Sequence, residues 1–285
     1  MKLLIIGDFH IKNKLGLSNL LNHLKYEYKY GSVNEIEQFD IIYSPGTAIN
    51  VSKYPKQKFI MGPQFSVFPN ESQLKNINNL HNNALYIQPS DWATEVWVQL
   101  NIKQYLPIYI FPFPVDTERF SPVEQDKNKV FLYYKRRQPN ELNFLMQFLN
   151  NQKIHFKLFN YTAGYDENEY LQYLQQSKYG IILDAHESQG FAIEEALSCN
   201  VPLLVWNTKF MSQEYGGKYP NYPCNSIAYW DERCGEFFYE QKDFLTTFEL
   251  FLSKIDTYQP RQYILENLSV EKCAERWVDL TNKLN

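Results

Sequence analysis

The stretch that most constrains the fold spans residues 179–206. Two short apolar runs, 179–183 and 202–206, flank a segment of good helix formers, 190–199. Short apolar runs bounded by turn residues suit strands buried on both faces, as in parallel sheets covered by helices. Phe191, Ala192, Ala196 and Cys199 give the helical segment its apolar residues. Asn200 tolerates the left-handed conformation of a helix end, and Pro202 blocks continuation. The unit reads strand, loop, helix, strand. Its loop, residues 186–190, falls at the carboxyl end of a strand and the start of a helix. Open parallel sheets bind ligands there, and unpaired backbone N–H groups attract phosphate. Gly190 lets a phosphate approach the backbone. Glu195, about one and a half turns into the helix, can accept bonds from vicinal ribose hydroxyls.

The same alternation runs through the chain. Residues 2–7, 39–43, 58–61, 84–87 and 108–111 read as strands, with helices at 17–30 and from Ser90 to about residue 100. After them comes a proline-rich connector, 112–122, followed by the charged residues 124–129. Such segments suit a domain boundary. A second set follows: strands at 130–134 and 154–160, helices at 140–150 and 167–176, the organising unit, a loop at 208–222, an edge strand at 226–229, and helices at 235–255 and 270–284. Alternating strands and helices imply doubly wound parallel sheets. The expected architecture is α/β: two Rossmann-like domains, residues 1–115 and 116–285, with a cleft between them.

The organising stretch resembles the Glu-x7-Glu signature of retaining family 4 glycosyltransferases, which have the GT-B fold. The matching residues are Glu187, Gly190, Glu195-Ala196 and Pro202; Asn200 stands where that family usually has Gly. Two further landmarks occur in the right order. Pro89-Ser90-Asp91-Trp92 resembles the serine-initiated helix of the first domain. Val115-Asp116-Thr117, with Phe120 and Pro122, resembles the interdomain segment. The resemblance implies transfer of a hexose-type sugar from a nucleotide-diphosphate sugar, UDP- or GDP-linked, to a hydroxyl on a glycan, glycolipid or glycoprotein. It also implies retention of configuration and no required metal or other cofactor. Glu187 is then set against the transferred sugar and Glu195 on the ribose, with Ser188, Gln189 and Gly190 lining the donor loop. In this fold the terminal helix often crosses back to the first domain.

Such a transfer needs a stabilised leaving diphosphate. Lys135, Arg136 and Arg137 follow a strand, and cations aimed at developing charge are often the largest catalytic term. Relatives carry an Arg and a Lys after this strand, although their spacing is not reproduced here. Strand alternation puts Lys135 and Arg137 on one face, making them the first choices. Gly7, Asp8 and His10 follow the first strand and resemble the family's first loop, reduced here to a single glycine. His10 can orient an acceptor or contact phosphate. Gln64 stands where many relatives present a His. Tyr161, in the 161–165 exit loop, can stack on the nucleobase. Glu194, turned roughly 100° from Glu195, is the residue expected to do little.

Composition narrows the classes. Lys and Arg number 28 against 32 Asp and Glu, a net charge of −4, so no basic footprint for nucleic acid is present. The leading apolar run is too short for a signal-peptide core, and no run is long enough for a transmembrane helix. The four cysteines lack metal-ligand spacing. A reducing cytoplasm is the plain expectation. Lys12, Lys14, Lys25 and Lys29 around the first helix are compatible with peripheral contact to an anionic membrane, and equally with a sheet-covering helix. Two other classes are compatible with the sequence: a nucleotide-sugar epimerase of the same fold, and a non-catalytic nucleotide-sugar-binding protein. Oligomeric state is not written in the sequence.

Overall fold

The computed structural model describes residues 2–47, 49–64, 66–69 and 83–284. The chain forms two compact units, Met1–Pro114 with Leu268–Asn285, and Val115–Asn267. In chain order the helices are α1 Ile11–His23, α2 Asp91–Gln99, α3 Pro139–Asn151, α4 Glu167–Gln175, α5 Phe191–Ser198, α6 Phe244–Ser253, α7 Pro260–Asn267 and α8 Val270–Asn282.

The first unit is built on β1 Lys2–Ile6, β2 Glu27–Gly31, β3 Ile41–Ser44, β4 Lys58–Met61, β5 Ala84–Gln88 and β6 Ile108–Ile110, in the spatial order β2-β1-β3-β4-β5-β6. All neighbours are parallel. The central strands are apolar along their length because helices cover both faces; Leu3, Leu4, Ile42, Phe59 and Ile60 are fully buried. Helix α1 packs on α8. Trp277 of α8 sits edge-on to Tyr43 and Phe111, with ring centroids 6.1 and 5.4 Å away.

The second unit uses β7 Lys129–Lys135, β8 Phe156–Asn160, β9 Ser177–Asp184, β10 Leu203–Trp206 and β11 Gly235–Phe238, ordered β11-β10-β9-β7-β8, again all parallel. Val130, Leu132, Ile181, Leu183, Leu204 and Trp206 bury one face of the sheet under α3 and α6. Phe131, on the other face, meets Tyr170 of α4 at 5.9 Å. In each unit the winding reverses once, between β1 and β3 in the first and between β7 and β9 in the second. The crevice at such a switch point, beyond the carboxyl ends of the strands, is where doubly wound sheets take ligands.

Several elements differ from the sequence reading. Helix α1 ends at His23 rather than Tyr30, because Lys25 turns left-handed (φ 55°) and Tyr26 N–H bonds back to Leu21 O at 2.9 Å. Residues 27–31 then form β2, an edge strand whose side chains are mostly solvent-exposed. The 226–229 segment is not a strand; its Ser226 N–H is taken by the Asn207 side chain at 2.8 Å. The edge strand is β11, inside the stretch expected to begin a helix, and the helix there covers only Phe244–Ser253. Helix α7 was not anticipated. Ser90 precedes α2 but makes no capping bond. In the 62–66 loop, Gln64 donates through its side chain to Phe68 O, and Phe65 lies outside the described residues.

Candidate functional site

The candidate site grows from the switch point of the second unit. Lys135 ends β7 and pairs in register with Asp184, which ends β9. After β7 the backbone turns left-handed at Arg136 (φ 51°) and α3 begins three residues later, at Pro139. After β9 the chain runs through 185–190 to Gly190, which caps α5 with φ 96°. An added Cβ would find its nearest neighbour at 3.5 Å, so backbone conformation rather than space calls for glycine there.

Segments after β10 prop this loop. Thr208 and Ser226 hydroxyls donate to Ala185 O at 2.8 and 2.5 Å, and Glu187 N–H donates to Asn225 O at 3.0 Å. The loop thus presents Glu187 to Lys135, whose ammonium donates to the Glu187 carboxylate. Both side chains are largely shielded, at 17% and 15% exposure, so salt screens this pair less than a surface one. The same ammonium lies 4.5 Å from the centre of the Tyr161 ring, a cation–π contact.

Charge is dense here. Arg136 Nη1 donates to Glu214 Oε1 at 3.1 Å, and His186 Nδ1 lies 3.4 Å from Glu214 Oε2. Burial, with Lys135 and Arg136 nearby, pushes the His186 pKa down to about 4, so the imidazole is neutral at neutral pH. Tyr219 meets the His186 ring edge-on at 5.1 Å. Burial pushes the Asp184 carboxyl up to about 6, against the pull of Lys135 and Arg137.

Lys135, Arg136, Tyr161 and Glu187 therefore come together as a polar group at the strand ends. Ser188 is half-buried beside Glu187 in the same loop. Arg137 does not join them. The strand ends at Lys135 and the left-handed turn at Arg136 breaks the alternation, so Arg137 enters the core at 1% exposure. Its guanidinium donates to both Glu141 oxygens at 2.9 and 2.7 Å, and to Asp184 O and Trp206 O at 3.1 and 2.8 Å. It holds α3 to the sheet and is not presented to a ligand.

The two helix glutamates are both buried. Gln189 donates to Glu194 Oε2 at 3.1 Å, and burial raises the Glu194 pKa far above the usual carboxylate range. Glu194, the residue expected to do little, is packed inside the unit rather than solvated. Glu195 is 5% exposed; burial raises the hydroxyl pKa values of Tyr165 and Tyr170, and the charge of Glu195 adds to it. In the first unit, Gly7, Asp8 and His10 follow β1 at the other switch point. Gly7 has φ 88°, and a Cβ there would lie 2.6 Å from Thr47 Oγ1. His10 Nδ1 accepts Lys12 N–H at 3.3 Å as the cap of α1. Sequence reasoning missed Glu214, which lies 78 residues from Arg136 in a loop without motif, and Asp184, visible only as the residue closing an apolar run. Among the described residues no group of three His, Cys, Asp or Glu side chains is placed to hold a metal ion, and no helix is long and apolar enough to cross a membrane.

No family model matches the sequence, and no curated protein matches it. Solved structures do match. Sucrose-phosphate synthase from Thermosynechococcus elongatus aligns over 100% of this chain and 99% of its own, with TM-score 0.60 and 9% identity. The chain has the GT-B fold. The lipopolysaccharide outer core galactosyltransferase WaaB, in its apo form, aligns over 98% of both chains with TM-score 0.57 and 13% identity. The catalytic domain of starch synthase IV from Arabidopsis thaliana, bound to ADP and acarbose, covers 96% of this chain and 76% of its own, with TM-score 0.53 and 9% identity. These identities speak to the GT-B fold and not to substrate.

Proposed function

We propose that the protein is a retaining, metal-independent glycosyltransferase that moves a hexose-type sugar from a UDP- or GDP-sugar to a hydroxyl acceptor on a glycan or lipid. The observation that carries this reading is the Lys135–Glu187 pair at the β7/β9 switch point, beside the start of α5. An ammonium has three donors, so the bond to Glu187 does not exhaust it. Lys135 and Arg136 take the diphosphate and offset the charge that develops as it leaves. Glu187 stands against the sugar, whose anomeric carbon gains positive charge in the same step. Glu195 takes the ribose hydroxyls, and Tyr161 flanks the base. Gly7, Asp8 and His10 belong to the acceptor side.

A thermal-shift screen of UDP, GDP, ADP and their sugars tests the reading, since a ligand bound only by the native state raises its stability. At least one nucleotide raises the melting temperature, and free nucleotide accumulates from its sugar in the presence of acceptor. Glu187→Gln suppresses that release while retaining nucleotide affinity. Absence of a shift with every nucleotide, or normal turnover by Glu187→Gln, overturns it.

A further inference from the structure

Glu214 lies in the segment after β10, far in sequence from the strand ends, yet its carboxylate touches both of them. One oxygen accepts from Arg136, which follows β7, at 3.1 Å. The other lies 3.4 Å from Nδ1 of His186, which follows β9 and directly precedes Glu187. The carboxylate thus spans the switch point. Its side chain is 8% exposed, whereas that of Arg136 is 48% exposed. The guanidinium is tied on one side and open to solvent over much of the rest.

Arg136 is held twice by the same segment. Its carbonyl accepts Tyr215 N–H at 2.8 Å, which supports the left-handed backbone that a non-glycine residue rarely adopts. The segment is itself anchored: Phe210 bridges Pro223, Met211 N–H donates to Tyr222 O at 2.9 Å, and Glu214 N–H closes a turn on Met211 O at 3.1 Å. Glu214 therefore does not depend on Arg136 for its own place. A guanidinium carries five N–H donors in a rigid fork, and the Glu214 bond engages Nη1. A free arginine side chain loses much rotamer freedom on binding an anion; one already fixed loses less.

We propose that Glu214 is a positioning residue that fixes Arg136 in the conformation that binds the diphosphate, with the 211–222 segment as its support. The proposal rests on the reading of this site as one for a nucleoside diphosphate. It runs against simple electrostatics, since a carboxylate this near a bound diphosphate repels it. The two effects have opposite signs, and one measurement separates them.

The experiment is calorimetric titration of UDP, GDP, inorganic pyrophosphate and uridine into the full chain, for wild type, Glu214→Ala, Glu214→Gln, Arg136→Ala and Arg136→Ala with Glu214→Ala. Glu214→Ala weakens pyrophosphate and diphosphate binding about tenfold and leaves uridine unchanged; a loss of this size matches one charge-assisted contact less well formed. Glu214→Gln, which keeps an acceptor for Arg136, stays within about threefold of wild type. In the Arg136→Ala background the Glu214→Ala change has no further effect, because its action passes through the guanidinium. Glu214→Leu fills the space without an acceptor and replaces Glu214→Ala if that variant does not fold. Equal or tighter pyrophosphate binding by Glu214→Ala, or an undiminished loss without Arg136, overturns the inference. If wild type binds pyrophosphate but neither nucleotide, the donor reading fails and the pyrophosphate series still decides the role of Glu214. If it binds none of the three, both fall.

Discussion

Replacing Arg137 by alanine should damage stability more than ligand binding. The guanidinium makes two bonds to Glu141 and one each to the carbonyls of Asp184 and Trp206, and it stacks over the Trp206 ring at 5.5 Å. Breaking a buried ion pair by removing one partner costs about 3–5 kcal/mol. The lower end applies here. Glu141 is 18% exposed and keeps its bond from Gln138 N–H at 3.0 Å, so its carboxylate is not left bare. The Asp184 carbonyl also has the Ser226 hydroxyl 3.0 Å away, which it shares with the Ala185 carbonyl. A loss of about 3 kcal/mol lowers the melting temperature of a domain this size by roughly 10 °C. Arg137→Lys recovers only part of it, because an ammonium cannot reproduce the two-pronged bond to Glu141. The assay is a urea and thermal melt of Arg137→Ala and Lys135→Ala, paired with titration of a nucleoside diphosphate and its nucleoside. Lys135→Ala should lose less stability than Arg137→Ala, because Lys135 is partly exposed and Arg137 fully buried, and should lose diphosphate affinity by about 1.5–3 kcal/mol, the worth of a charge-assisted bond. If Arg137→Ala melts like wild type but loses the diphosphate selectively, the burial argument is wrong and Arg137 belongs to the ligand after all.

Other expectations follow from the same geometry. Glu195→Ala should mainly raise the donor KM, whereas Glu187→Gln should lower kcat with nucleotide affinity nearly intact; steady-state kinetics with a fixed acceptor separates them, and the reverse pattern refutes the assignment. Glu194→Gln should be nearly neutral in a melt, because a carboxamide has the same shape and keeps an acceptor for Gln189 at a site where burial disfavours charge, while Glu194→Ala, losing the Gln189 bond and buried volume, should cost about 2 kcal/mol. Asp184 supplies a pH test. Its pKa is raised from 3.8 to about 6, so the folded state holds the proton more tightly. Stability from this group is full below about pH 4 and is lost as pH rises through about 6, by roughly 3 kcal/mol. Asp184→Asn should abolish that component, read as the difference between wild-type and variant melts from pH 4 to 7; parallel curves would contradict it.

Much of the fold was legible because parallel strands buried on both faces must be continuous apolar runs. That is how the runs 39–43, 58–61, 130–134 and 179–183 stand out, and the structure has β3, β4, β7 and β9 at 41–44, 58–61, 129–135 and 177–184. The edges were not legible, for the converse reason. β2 alternates Tyr28 and Tyr30 with the charged Glu27 and Lys29 and exposes most of its surface, a pattern that a helix end also tolerates. β11 begins at Gly235 in a left-handed φ of 137° and earns its place only by pairing with β10. Local sequence decides an element when its own burial demands it; at an edge, the neighbour decides.

The site divides the same way. Glu187, Gly190 and Glu195 stand out in sequence because one loop and the helix it opens carry them at short, fixed spacing. Lys135 could be placed at a strand end but not against Glu187, since that pairing depends on β7 and β9 being neighbours across the switch point. Arg136, Arg137 and Glu214 were decided only by tertiary structure. A single left-handed residue turned Arg137 inward to Glu141, and a loop 78 residues away supplied the carboxylate for Arg136. Sequence periodicity carries side-chain direction only while the backbone stays regular. Beyond the strand ends, where ligands bind, it does not stay regular, and long-range packing sets the direction of each charge.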